Sequence, residues 1–279
     1  MIVRVPASSA NLGPGFDTLG MALSLHVEAA VIDGDVPEGA QRIDQFHPAG
    51  IAFRRAGGDG DLWVASPIPV GRGLGFSGAV RIAGIVAAHA QRHGGDPHAL
   101  AERSASMLAL AAELEGHADN VAASLFGGIV ATADGRAVRV PLAFDPAVVV
   151  WIPAFTTSTD ESRTKMGAQV PLADAVFNIG RTALLVAALA AGDTDALRSA
   201  TQDRLHQDVR LATVEPSKAA LQCALDAGAW CSWLSGSGPT VAAMCPFDDA
   251  DEIAAHMPTD GHTKVLRIDH GGAVIEADD

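Results

Sequence analysis

The sequence predicts an α+β fold, on three observations. Period-two strand patterns and period-3.6 helix patterns are interleaved without the regular strand–helix alternation of a doubly wound sheet. The chain has 279 residues, 48% of them hydrophobic, so it can bury a sizeable core in one large domain or two of ordinary size. A composition shift at Phe144-Asp145-Pro146 predicts two units, over 1–145 and 146–279.

Each element has a local reason. Ile2-Val3-Arg4-Val5 alternates as a strand does, and "ALSLHVEAAVID" (22–33) is β-branched and alternating, so both are predicted strands. Between them "PASSANLGPGFDTLG" (6–20) is rich in Gly, Pro, Ser and Asn and is predicted to be a long binding loop. A short helix over 50–57 ends at Gly57-Gly58, and "DLWVASPIPV" (61–70) follows as a strand. A helix is predicted from Ser77 to about His93, stopped by Gly94-Gly95. Asp96 as N-cap with Pro97 at the first position opens the next, to about Glu115. "GGIVATADGRAVRVPL" (127–142) is a hairpin turning at Asp134-Gly135. The second half begins with the strand 147–153, then helices over 173–191, 193–208 and 216–227. A strand, the loop "LSGSGPT" (234–240), the strand "VAAMC", a helix from Asp249 and a strand near "TKVLRI" complete it.

Charge narrows the function. Nineteen cations against 33 acids leave a net charge of −14, which repels nucleic acid and anionic membranes. Cys223, Cys231 and Cys245 lack metal-ligand spacing, and an odd count argues against a secreted disulfide framework. No secretory signal is visible, and the longest apolar stretch, "TALLVAALAAG" (182–192), is too short to span a bilayer. A soluble, cytoplasmic protein is expected.

Four stretches carry candidate chemistry. In "VGRGLGFSGAV" (70–80) the glycines Gly71, Gly73 and Gly75 precede a helix, so backbone amides and a helix N-terminus can close on an anion. The stretch is neither a Walker A loop nor a dinucleotide fingerprint, and by itself it is as readily a plain turn. "AELEGHADN" (112–120) gathers Glu113, Glu115, His117, Asp119 and Asn120 at a helix end. Its bland reading is a solvated terminus with Asn120 in a turn. "LSGSGPT" is a second amide-rich loop, or a turn chosen for its left-handed positions. Arg163, Arg210 and His206, taken singly, are ordinary structural residues.

Their order changes the odds. "PASSANLGPGFDTLGMAL" (6–23), "PVGRGLGFSGA", "EGHADNVAASLFGG" (115–128), "TSTDESR" (157–163), "PLADAVFNIGRTALLVAALAAGD" (171–193) and "LSGSGPTV" (234–241) succeed one another as in the GHMP kinases. Within that superfamily the chain most resembles the homoserine kinase family, over nearly its whole length. Two departures stand out. Phe76 and Gly78 replace the usual serine and alanine of the phosphate loop, and His206-Gln207-Asp208-Val209-Arg210 keeps only the ends of the family's His-x-Pro-Tyr-Arg.

The resemblance implies a ribosomal-protein-S5-like N-terminal domain (1–145) that binds ATP, a ferredoxin-like C-terminal domain (146–279), and a cleft between them. It implies that the amides of Gly71, Arg72, Gly73, Leu74, Gly75, Phe76 and Ser77 hold the ATP phosphates, while Ser77 and Glu113 hold Mg²⁺. Arg163 and Arg210 are implied for the carboxylate of homoserine and Asp17 for its ammonium, with Asn11, His117, Asp119 and Gly236 completing the pocket. Thr159 falls near the transferred phosphate. Asn120 falls where related kinases carry an aspartate base, so no base is assigned. Phe76 still supplies an amide, so the loop is expected to bind ATP in a reshaped pocket. The family also implies a homodimer. Two rivals are a kinase for another small alcohol, such as pantoate or mevalonate, and a non-catalytic metabolite-binding homologue.

Overall fold

The computed structural model describes residues 1–157, 164, 166 and 169–276. Two antiparallel sheets organise them. The first has seven strands: β1 (Ile2–Ala10), β2 (Leu19–Val31), β3 (Gln41–Ile43), β4 (Leu62–Ala65), β5 (Ile129–Ala133), β6 (Arg136–Val140) and β11 (Val274–Glu276). Its order is β11-β1-β2-β4-β3, with the β5–β6 hairpin joined to β2. The second sheet runs β10-β7-β9-β8, from β7 (Ala147–Pro153), β8 (Cys231–Leu234), β9 (Val241–Cys245) and β10 (Gly261–Arg267).

Helices α1 (Pro48–Arg55), α2 (Phe76–His93), α3 (Pro97–Glu115) and α4 (Asp119–Phe126) belong to the first half. In the second half lie α5 (Leu172–Ala191), α6 (Thr194–Ala200), α7 (Gln207–Leu211), α8 (Glu215–Asp226) and α9 (Ala250–His256). Apolar almost all round, α2 is buried as such a helix must be, against β1, β2, α1 and α4. Strand β7 shows why its sequence is continuously hydrophobic. Val148, Val150 and Ile152 enter the main core, while Ala147, Val149 and Trp151 face a second core with Ala220, Ala224 and Ile253. Alternate side chains of a strand point to opposite faces, and here both faces are covered.

Several expectations change. β1 runs on through Pro6–Ala10, pairing with Gly20–Leu23 after a register shift at Pro6/Ala7, so the predicted loop shrinks to 11–18. The predicted helix over 193–208 breaks after Ala200 because Asp203 accepts the amides of His206 and Gln207 and restarts the chain as α7. Asn120 stands in the first turn of α4, not in a turn of its own. α5, at 20 residues, is long and apolar enough to cross a membrane, which the stretch 182–192 alone is not. It nonetheless buries Asn178, Leu185, Ala188 and Leu189. Finally, the expected strand near "TKVLRI" forms as β10 beside β7, but a further strand, β11, returns to the first sheet: it pairs with β1, and Ile268 bridges Leu23. His26 and the Asp269 carboxylate, 2.7 Å apart, pin that crossing.

Candidate active site

A cavity of about 310 Å³ opens where loops of the first sheet meet a loop of the second. One wall is the glycine loop. Gly71, Gly73 and Gly75 all have positive φ, between 67° and 75°, so the loop turns tightly enough to lay its backbone along the cavity. A Cβ on Gly73 would sit 2.2 Å from the Ser235 carbonyl oxygen, so only glycine permits this approach of the two loops. The Ser235 hydroxyl seals the contact by donating to the Gly73 carbonyl at 2.6 Å. α2 then starts at Phe76 without a side-chain cap, and its first intrahelical bond runs from Ala79 to Gly75. The preceding amides thus lack intrahelical partners at the positive end of an 18-residue helix, an arrangement able to receive an anion. The Phe76 ring packs against the core and edge-on to His47, with centroids 6.3 Å apart. The cavity remains open beside it.

Behind Ser77 the two glutamates of α3 part company. Glu113 is exposed and pairs with Arg55 at 2.7 Å, whereas Glu115 reaches the cavity wall. Residues two apart on a helix point about 200° apart, so only one of the pair can face α2. Glu115 Oε2 accepts from the Ser77 hydroxyl at 2.8 Å and pairs with Arg81 Nε at 3.2 Å. Arg81 Nη1 also donates to Ser77 Oγ at 2.9 Å. Glu115 Oε1 has no hydrogen-bond partner among the described residues. A hydroxyl beside an uncommitted carboxylate oxygen is a hard-oxygen set that fits Mg²⁺, which takes few protein ligands when phosphates supply the rest.

The opposite wall is made by side chains. Asn11, Leu12 and Asp17 have φ of 72°, 47° and 56°, left-handed values that are uncommon for such residues. Asn11 holds the shape with its own carboxamide: Nδ2 donates to the Gly236 carbonyl at 3.0 Å, and Oδ1 accepts the Asp17 amide at 3.1 Å. From α5, Asn178 and Thr182 both donate to the Pro14 carbonyl. At the start of α4, buried Asp119 lies 3.0 Å from His117 Nδ1 and accepts the Asn120 amide at 2.7 Å. Asn120 Oδ1 accepts from the Ser8 hydroxyl at 2.9 Å. Arg210, buried on α7, donates to the Gly236 carbonyl at 3.0 Å.

Of the residues proposed from sequence, Asn11, Asp17, Gly71 through Ser77, His117, Asp119, Asn120, Arg210 and Gly236 all line this cavity. Thr159 and Arg163 lie outside the described residues. Sequence reasoning missed Glu115 as the partner of Ser77, although Gly116 as the helix end fixes its phase. It also missed Arg81, one turn beyond Ser77 and therefore on its face, and Ser8 beneath Asn120. With Arg72 and Arg210 set against Asp17, Glu115 and Asp119, the cavity can hold a polyanion on one side and a zwitterion on the other.

Comparison with known proteins gives concordant findings. Residues 46–128 match the family model for the GHMP kinases N terminal domain, and residues 185–263 the model for GHMP kinases C terminal. A homoserine kinase of Moorella thermoacetica is 43% identical over 264 residues, covering 88% of this chain and 87% of that protein. One of Streptomyces coelicolor is 40% identical, covering 98% and 93%. Among solved structures, a homoserine kinase of Cytophaga hutchinsonii superposes with a TM-score of 0.83 at 25% identity, covering 98% of this chain and 96% of that one.

Proposed function

Since the chain belongs to the GHMP kinase family, with homoserine kinases as its relatives, we propose that it transfers the γ-phosphoryl group of ATP to the side-chain hydroxyl of L-homoserine. The products are O-phospho-L-homoserine and ADP, a step of threonine biosynthesis, in the cytoplasm. The observation that carries the reading is one cavity with an amide-lined anion wall facing a wall of Asp17, Asn11 and Arg210.

The residues divide the work. The amides of Gly71 through Ser77 hold the phosphates at the start of α2. Ser77 and Glu115 would hold Mg²⁺, which, when bound, neutralises charge on the transferring phosphates. Arg210 receives the substrate carboxylate, where a guanidinium offers paired donors, and Asp17 receives the ammonium. On this reading the substrate hydroxyl points toward Asn120 and the glycine loop. A carboxamide takes up no proton at neutral pH, so Asn120 acts as an oriented dipole fixed by Ser8, and alignment with charge neutralisation carries the transfer. Thr159 and Arg163 complete the phosphate and carboxylate contacts in this proposal.

A homodimer belongs to the same reading. Leu172, Val176 and Ile179 stand 80%, 59% and 70% exposed on α5 at i, i+4 and i+7, the stripe that one helix offers another. Coupled assays of Mg²⁺-dependent ATP consumption test the activity. L-Homoserine should stimulate turnover far above water, and stronger stimulation by pantoate or mevalonate overturns the substrate assignment.

A further inference from the structure

His206 is completely buried at the start of α7 and does not itself line the cavity. Each of its ring nitrogens has one hydrogen-bond partner, and Nε2 also lies 3.8 Å from Asp203 Oδ2. Nε2 lies 2.8 Å from the Gly13 carbonyl oxygen, and Nδ1 lies 3.1 Å from Arg210 Nη1. A carbonyl oxygen only accepts and a guanidinium only donates, so the proton sits on Nε2 and Nδ1 presents its lone pair. The ring is therefore the neutral Nε2–H tautomer. Burial acts in the same sense, holding the imidazole below its usual pKa, with Arg210 adding to it against the opposing Asp203.

The surroundings fix the ring in place. Phe16 stacks on it with centroids 5.1 Å apart, and the Arg210 guanidinium lies 5.4 Å above the same Phe16 ring. Asp203 accepts the His206 amide at 2.8 Å and is itself held by Asn178 at 2.6 Å. His206 and Arg210 are four residues apart, on one face of the short helix. Arg210 Nη1 carries two hydrogens, and it spends them on His206 Nδ1 and the Gly236 carbonyl. With both committed, the plane of the guanidinium is set.

We propose that His206 is a positioning residue: as the Nε2–H tautomer it ties Arg210 to the loop 11–18, fixing the guanidinium where the substrate carboxylate is received. The inference rests on the role given to Arg210 in the proposed function. It predicts an effect confined to substrates that carry a carboxylate. Steady-state kinetics on wild type, His206→Leu and His206→Asn would use L-homoserine and 3-aminopropan-1-ol, the same alcohol and ammonium without the carboxylate.

His206→Leu should raise the homoserine KM about ten-fold or more, the scale of one hydrogen bond to a charged group. Its kcat, its KM for ATP and its kcat/KM for the aminoalcohol should stay within about three-fold. His206→Asn, whose carboxamide oxygen restores an acceptor toward Arg210, should recover most of the loss. Equal losses on both alcohols, or no recovery with asparagine, overturn the inference. Should neither variant fold, ¹⁵N spectra of histidine-labelled wild type decide it. A His206 ring protonated on Nδ1 or on both nitrogens at neutral pH contradicts the assignment, and the Nε2–H pattern sustains it. A wild type that does not prefer homoserine to the aminoalcohol defeats the role of Arg210 in the proposed function instead.

Discussion

The two loops that wall the cavity both pass through left-handed backbone conformations, yet they are built from opposite residue types. The phosphate loop takes its positive φ values at Gly71, Gly73 and Gly75, where they cost nothing sterically. The loop 11–18 takes one at Gly13 but three more at Asn11, Leu12 and Asp17, where each costs on the order of 1 kcal/mol. In the proposed function, ligand chemistry accounts for the contrast. Phosphate oxygens would be met by main-chain amides, so side chains are dispensable there, and one at Gly73 would collide with Ser235. An amino acid must be met by a carboxylate and a carboxamide at set positions, so side chains are needed even where the backbone resists them. That resistance is offset from outside the loop by Gly236, His206, Asn178 and Thr182, which bond Asn11, Gly13 and Pro14.

The sharpest break of the contrast is Arg210→Leu. Removing one charged partner of a desolvated pair costs about 2–5 kcal/mol. The homoserine KM should rise accordingly while ATP affinity barely moves, and equal weakening of both ligands would put Arg210 on the phosphate wall. Next in size is Glu115→Gln. A kcat loss on the order of 10²-fold is expected, the scale of one preorganised electrostatic contact. Glu113→Gln, out on the surface with Arg55, should stay within about two-fold. Matching losses in the two variants would restore the sequence-based metal assignment.

Smaller changes sharpen it further. Asn11→Gly gives the loop the residue its backbone favours and removes the side chain its function needs. Relief of strain should roughly offset the added freedom of the unfolded chain, about 0.4–1 kcal/mol, and leave Tm within a few degrees. The homoserine KM should rise about five-fold, since two carboxamide hydrogen bonds are lost. A large fall in Tm with an unchanged KM would make Asn11 a structural residue only. The mildest case is Phe76→Ser. The amide remains and the ring faces His47, so MgATP affinity and kcat should hold within a few-fold. Activity that appears only in this variant would mean the native loop is closed.

How far the sequence carried can be judged from the same two loops. The phosphate loop was legible because its signals are local: glycines, then an apolar helix. The helix α3 was equally plain, with Asp96 as N-cap, Pro97 inside and Gly116 at its end. The hairpin at Asp134-Gly135 formed where its turn residues dictate. The other loop was misjudged in length, because Pro6–Ala10 has loop composition and its strand pairing comes from β2, ten to twenty residues away. α4 was missed because Ala118 is no cap-former and Asp119 turns its carboxylate to His117 and the Asn120 amide. Glu113 was taken as the partner of Ser77 through family correspondence, whereas helical phase turns Glu115 to Ser77 and Glu113 to Arg55. β11, three residues long, has no periodicity to display.

That last strand has a consequence for the birth of the protein. β1 is made before the rest of its sheet, and the strand that covers its outer edge is made more than 260 residues later. At roughly 5–20 residues per second, the edge waits on the order of tens of seconds. Ser235, which braces the phosphate loop through Gly73, also emerges late. A nascent chain therefore carries the glycine loop before it has the brace that Ser235 gives it. Its bare β1 edge during that interval is the place where a chaperone, or a neighbouring nascent chain, would find purchase.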